Sequence, residues 1–386
     1  MAINRGLLGT KQLESGISKL EVRDEIFLLD SEKGVAPFLT ILAKVPKEKS
    51  TQTDFHWFED ELLGSYTQVK AQYLVGAGSI DVDTTDIFQV NDVIKNSRTK
   101  ECMLVTAITD ADTLAVTRGW GTTAAAQGEI DDYIVKLGNA QAEGWTVPTD
   151  PVTTQKAKKD NYLQTFSRPV IVTSHMENTE QYGGNRRNYE RKKIGVELKR
   201  EIEKQFLFGE PKEDTSGAQK RWQTGGVYYF IRSECAYYDA GSSTLTEAEF
   251  LLFLRDFFTY GSKEKFLFVG PRIASQISGY PSAAKMNLTP GMNKEYGIQV
   301  VRYYCAHGIV NLVEAEVFTG PYAGMAIGLD MDDRTLVYRF LQNMDLTLNL
   351  DTGAPDAHKF VDEYFGTIGV EVHNAKRHGI IENVTD

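Results

Sequence analysis

The chain has 386 residues, 41% of them hydrophobic, with a formal net charge of −11 and a pI near 5.2. That length exceeds what one hydrophobic core fills, so two or three domains are expected, and the acidic balance argues against a nucleic-acid-binding protein, which needs clustered cations. Cys102, Cys235 and Cys305 are odd in number and lack Cys-x-x-Cys spacing, which excludes a disulfide framework and suits a reducing compartment.

Met1-Ala2-Ile3-Asn4 opens neither a signal peptide nor a membrane-spanning run, so a soluble intracellular chain is expected. Residues 1–48 mix charges of both signs with scattered apolar side chains, and only 24–30 looks like a strand. Such a segment is either a disordered terminus or an arm that orders on a neighbour. Residues 38–43 form an apolar run. Phe55, Trp57 and Phe58 then stand among Asp54, Glu59, Asp60 and Glu61. Paired carboxylates can serve acid/base or metal chemistry. No second cluster completes a site here, so packing or a subunit contact is the expectation.

From 67 to 137 apolar residues alternate: Val69, Ala71, Tyr73 and Val75, then Leu114 and Val116, then Tyr133, Val135 and Leu137. Turn signals at 76–78, 90–92, 110–112 and 118–121 separate them, which reads as a small barrel or sandwich inserted in a larger fold. Gly76 and Gly78 lack the third glycine and following helix of a dinucleotide loop. Arg118-Gly119-Trp120-Gly121 is turn chemistry first, with Trp120 as a possible partner anchor. Polar, extended sequence with Pro148 and Pro151 returns over 138–168.

Ser174 and Glu177 have capping-box spacing, so a short helix is expected from Ser174 to a stop at Gly183-Gly184. A long helix follows over 185–208, with Ile194, Leu198, Ile202 and Phe206 as a narrow apolar ladder. It should lie along a sheet surface and not through a core. Eight Lys/Arg against four Asp/Glu between Arg186 and Lys204 give it a charge of +4. It can be a solvated amphipathic helix or a basic face. A strand is expected at 225–231. Thr246 and Glu249 form a second capping box, opening a helix that buries Phe250, Leu251, Leu254, Phe257 and Phe258. Residues 265–269 read as a central strand, Pro271 as a first helical position. Strands at 297–305, 309–317 and 335–341 complete an α/β domain. The tail alternates Met344, Leu346, Leu348 and Leu350, then Ile368, Val370 and Val372, a half-covered sheet that the charged helix would cap.

No nucleophile elbow, phosphate loop or His-Glu-x-x-His motif occurs. His373 and His378 leave a metal open as an alternative, although no cofactor is expected. The balance moves towards a structural role.

The order of arm, projecting loop with a barrel, spine helix, α/β domain and returning sheet resembles the major capsid proteins of tailed bacteriophages, with the Hong Kong 97 type of fold. More narrowly it resembles the subset with a β-barrel insertion in the extended loop. The residues that carry the likeness are Phe55-His56-Trp57-Phe58-Glu59-Asp60-Glu61-Leu62, Val116-Thr117-Arg118-Gly119-Trp120-Gly121-Thr122, Arg168-Pro169-Val170-Ile171-Val172-Thr173-Ser174 and Glu197-Leu198-Lys199-Arg200-Glu201-Ile202-Glu203.

The resemblance implies an α+β fold with an N-terminal arm (1–48) and an extended loop (49–167) carrying the barrel (about 67–138). It further implies a peripheral domain (168–235) with its spine helix, an axial domain (236–342), and a returning sheet (343–386). It implies self-assembly through pentamers and hexamers into an icosahedral shell around double-stranded DNA, with no enzymatic activity and no membrane. Portal and scaffolding or cementing proteins are the implied partners, with assembly in the host cytoplasm. Phe55, Trp57, Phe58 and Trp120 become candidate subunit contacts, and Lys192, Lys193, Lys199 and Arg200 candidate DNA-facing cations. The start at Met1 suggests no removed scaffolding segment, and no positions match a Lys–Asn cross-link. The rival expectation is an adhesin whose barrel binds carbohydrate through Trp120.

Overall fold

The computed structural model describes residues 36–146, 152–179, 184–280, 294–295, 298–332, 335–354 and 358–386, with backbone alone at 294–295 and 298–300. The strand-like piece at 24–30, Pro148, Pro151 and Gly183 lie outside these residues. The chain divides into two compact units, Trp57–Lys159 and a second made by the described residues of Met1–His56 and Asp160–Asp386. The helices are α1 (Pro37–Leu42), α2 (Ser174–Glu177), α3 (Arg186–Phe208), α4 (Val227–Ile231), α5 (Glu247–Phe257) and α6 (Pro271–Ser278).

In Trp57–Lys159 a six-stranded sheet runs in the order Tyr66–Gln68, Tyr133–Asn139, Asp92–Asn96, Cys102–Ile108, Thr113–Thr117, Ser79–Asp81. Its two edges meet: Val69 bridges Val82, the Lys70 N–H donates to Asp81 O, and the Asp83 N–H donates to Gln68 O. The sheet therefore closes on itself around Val69, Ile80, Ile94, Met103, Leu114 and Ile134. Closure removes the exposed edges that would otherwise template pairing. One expectation is reversed here. Ile134 points inward while Tyr133 and Leu137 are 45% and 57% exposed, so the alternation was right but the covered face is the other one.

The second unit holds two large sheets and a two-stranded ribbon, Lys212–Asp214 with Arg221–Gln223. In the first, Lys47–Ser50, Leu336–Leu341, Lys359–Val372 and Gln164–Thr173 lie side by side, and Thr347–Asn349 adds to Lys359–Val372. The second has seven strands with Glu264–Val269 at its centre, in the order Ala236–Ser243, Gly379–Val384, Ala326–Leu329, Glu264–Val269, Ile309–Glu314, Ile298–Tyr304, Lys294–Glu295. Its central strands are apolar on both faces because both are covered. Phe268, Val313, Ile327 and Ile380 enter one core with α1, α3 and the first sheet. Their neighbours Leu267, Leu312, Ala326 and Ile381 enter another with α5 and α6.

Chain order misleads at the sheets. Leu336–Leu341 joins the first sheet rather than completing the α/β layer, and the terminal strand Gly379–Val384 crosses into the second. The 225–231 strand is instead helix α4. Its buried Val227 and Ile231 are four residues apart, a helical spacing that a short aromatic run does not distinguish from a strand. In α5 the capping box forms as expected. Phe253 is buried where Leu251 was expected to be, and Leu251 is 40% exposed. The α2 cap is Thr173, whose hydroxyl accepts the Met176 N–H, while Glu177 accepts from Asn185 Nδ2 at 2.7 Å.

Helix α3 starts at the Asn185 cap and, at 23 residues, is about 35 Å long. Its first half lies on the first sheet. A Cβ at Gly195 would fall 2.9 Å from Tyr364 Oη, which donates to Arg191 O, so a glycine lets this strand and helix approach. Its last turns enter the core, contrary to the narrow-stripe expectation: Leu198, Ile202, Glu203, Phe206 and Leu207 are all buried. Phe206 sits between Phe166 and Tyr338, with ring centroids 6.4 Å from each.

Candidate shell-building surfaces

Strand Asp54–Glu59 alternates, and period two sorts its aromatics onto opposite sides. Phe55 and Trp57 are each 6% exposed, packed within the subunit, whereas Phe58 is 68% exposed. The Arg339 guanidinium lies 5.7 Å from the Phe55 ring centroid, and the Trp57 indole N–H donates to Glu59 Oε1 at 2.9 Å. Of the four candidate contacts, only Phe58 and Trp120 (51% exposed) therefore present a free face. The sequence reading missed a larger surface. Tyr66, Tyr133 and Leu137 stand on the outside of the barrel, with the two tyrosine rings in an edge-to-face pair 5.7 Å apart. Just over half of the large exposed hydrophobics among the described residues belong to Trp57–Lys159, about a quarter of the chain.

Beneath Trp120 the turn is fixed by charge. Arg118 Nε and Nη2 reach Glu101 Oε1 and Oε2 at 2.8 and 2.7 Å, and Glu101 is fully buried. Glu101 also accepts the Gly119 and Ala126 N–H groups, and Arg118 lies 4.7 Å from the Tyr73 ring centroid. Burial pushes the Glu101 carboxyl up, but these donors outweigh it and hold it below the ordinary value. Arg118 is thus a girder of the barrel, and Trp120 is the part left for a partner.

The α3 cations divide by helical phase. Lys192 and Lys199, two turns apart, share one side, and Lys193 and Arg200 share the next. Lys192 and Lys199 are exposed, but Arg200 meets Glu316 at 2.8 Å. Much of the remaining positive charge is spoken for within the fold. Arg187 and Arg191 both donate to the fully buried Asp362, and Arg186 pairs with Glu190.

Glu203 is the unexpected group, a carboxyl 1% exposed in the apolar core. One oxygen accepts the Phe38 N–H at 2.6 Å, at the start of α1, and the other is buried with no hydrogen bond among the described residues. Burial pushes its pKa up to about 7, with Glu316 adding to the rise and the amides and Arg200 opposing it. Because the folded value lies above the unfolded one, its stabilising share is present below about pH 4.5 and lost as the pH rises through about 7. Glu203→Gln is expected to remove this dependence and to gain on the order of 3 kcal/mol over the parent at pH 8, with little gain at pH 4.5. Urea unfolding of unassembled subunits at both pH values checks it.

His373 and His378 do not converge on a metal. His378 is buried, its Nδ1 accepting the Asp330 N–H at 3.3 Å and its Nε2 facing the His373 carbonyl at 3.2 Å. The His373 ring turns to Glu371 at 2.6 Å. Among the described residues no group of three or more His, Cys, Asp or Glu is arranged to hold a metal ion, and no helix is long and apolar enough to cross a membrane.

A closed barrel on one unit and a charged spine helix over a sheet on the other define a capsid subunit with the Hong Kong 97 type of fold. The structure is similar to a capsid described as that of the empty GTA particle computed with C5 symmetry, with a TM-score of 0.53 at 9% identity, covering 98% of this chain and 100% of that one. It is also similar to the capsid of Myoviridae phage XM1 (TM-score 0.45, 10% identity, 97% and 98% covered) and to a Mycobacterium phage Bobi structure (0.47, 9%, 95% of each). No curated protein sequence matches the chain. The family model described as SU10 major capsid protein matches residues 8–385, and the chain belongs to that family. It is a structural subunit that assembles with its own copies into the shell of a virion, and the adhesin alternative falls away.

Proposed function

We propose that this shell encloses packaged double-stranded DNA and that Trp57–Lys159 is the extended loop with its inserted barrel, laid over a neighbouring subunit. The concentration of exposed apolar side chains on that unit carries the reading, because a solitary soluble protein rarely leaves so much uncovered. Phe58, Trp120 and the Tyr66, Tyr133 and Leu137 face are the proposed contacts. Of the expected arm over 1–48, α1 packs into the core and Lys47–Ser50 joins the first sheet, so the arm is proposed for residues 1–35; α3 belongs to the peripheral domain, and the seven-stranded sheet is the axial domain. Of the four candidate DNA-facing cations, Lys192 and Lys193 are the ones proposed, since Arg200 is held by Glu316 and Lys199 borders a groove beside α1. The role involves no catalysis. A portal and a scaffolding or cementing protein are the proposed partners, with assembly in the host cytoplasm. Light scattering and negative-stain microscopy of the purified chain are expected to find pentamers, hexamers or shells. A monomer at high concentration would overturn the reading, and shells recovered from the host without nuclease-protected DNA would overturn its DNA part.

A further inference from the structure

A groove of about 300 Å³ opens beside α1. Helix α1 buries Phe38, Ile41 and Leu42 in the core. Ala36, Leu39, Thr40 and Ala43, spaced i, i+3, i+4 and i+7, form a second side of the same turn and line the groove. Tyr338 and Ile368 give it an apolar floor, and the exposed Lys47 and Lys199 also border it. Lys47 additionally meets Asp345 at 3.5 Å. So one apolar slot of the size that buries a compact ligand carries two cations at its margin.

The chain enters the described structure at this place, because Ala36, the first described residue, is itself part of the lining and 35 residues precede it. Their one run of four apolar residues is Ile26-Phe27-Leu28-Leu29, bracketed by Asp24 and Glu25 before it and Asp30 after it. Apolar centre and acidic flanks match apolar slot and basic margin. Residues 30–35 can span roughly 20 Å when extended, enough for the run to turn back onto α1. So short a tether holds the run at an effective concentration on the order of millimolar.

We propose that residues 24–30 dock in this groove on their own subunit, with 26–29 against Leu39, Tyr338 and Ile368 and the acids towards Lys47 and Lys199. The proposal rests on the arm reading above and gives that arm a fixed root, leaving residues 1–23 to reach further. Hydrogen exchange read by mass spectrometry on the full chain tests it. In unassembled subunits the amides of 26–29 are expected to exchange at least tenfold more slowly than an unstructured chain. Leu39→Asp is expected to abolish that protection. Lys199→Glu, an exposed change that leaves the fold intact, is expected to lose most of it, and adding Glu25→Lys with Asp30→Lys is expected to restore it.

Exchange at the unstructured rate in free subunits overturns the proposal, including the case where protection appears only in shells, which would seat a neighbour's segment in the groove. Protection unchanged by Lys199→Glu and Leu39→Asp overturns it too. Shell formation is read separately by light scattering, so a chain that keeps the protection but builds no shells loses the function proposed above and keeps its anchored arm.

Discussion

A chain carrying Tyr133→Asp together with Leu137→Asp is expected to fold as the parent does and to build no shells. Both positions are solvent-exposed on the outside of the barrel, 45% and 57%, beside Tyr66. Substitutions at such sites ordinarily shift stability by about 0.5 kcal/mol, with aspartate in a strand costing up to about 1 kcal/mol more. Between two copies the balance changes. Each unpaired carboxylate taken out of water costs several kcal/mol, and each contact recurs around the shell, so small losses multiply. Urea unfolding of the subunit and light scattering of the assembly separate the two effects. Shells at the parent's yield would remove this face from the interface.

Arg118→Ala is expected to destabilise Trp57–Lys159 by about 3–5 kcal/mol, because it leaves the fully buried Glu101 without its guanidinium partner. The change also frees the carbonyls of Leu74 and Ala126, which Arg118 now satisfies at 2.9 and 2.6 Å. Glu101 sits below its ordinary pKa, so the pair's contribution is present above the unfolded carboxyl range and lost as the pH falls through the lower folded value. The loss in the variant should therefore be large at neutral pH and shrink in acid. Replacing both members by apolar residues, Arg118→Met with Glu101→Leu, is expected to recover only part of the stability, because it removes the unpaired charge but leaves the Gly119 and Ala126 N–H groups and the Leu74 and Ala126 carbonyls without these partners. Denaturant midpoints followed by proteolysis of the barrel give the readout, and a loss below about 1 kcal/mol at pH 7 would show that the pair is not what fixes the turn.

Local signals were legible where the controlling groups are neighbours in sequence. The Thr246 and Glu249 box, the Asn185 start of α3 and the proline opening α6 all involve groups within four residues of one another. The candidate contacts were legible only in part. Three aromatics in four positions drew attention to 55–58, but a strand sends alternate side chains to opposite sides, so Phe58 alone emerged on the surface. The Tyr66 and Tyr133 pair gave no sequence signal, since its members lie far apart in the chain and meet only where two strands align.

By itself the sequence determined periods, caps and the resemblance to tailed-phage capsid proteins, because each depends on residue type and spacing along the chain. Only the tertiary structure decided that Ile134 rather than Tyr133 faces inward, that Val227–Ile231 coils, that Glu203 is buried against α1, and that Leu336–Leu341 and Gly379–Val384 belong to different sheets. Those outcomes turn on which of two apolar faces finds a cover, and the cover comes from residues tens to hundreds of positions away.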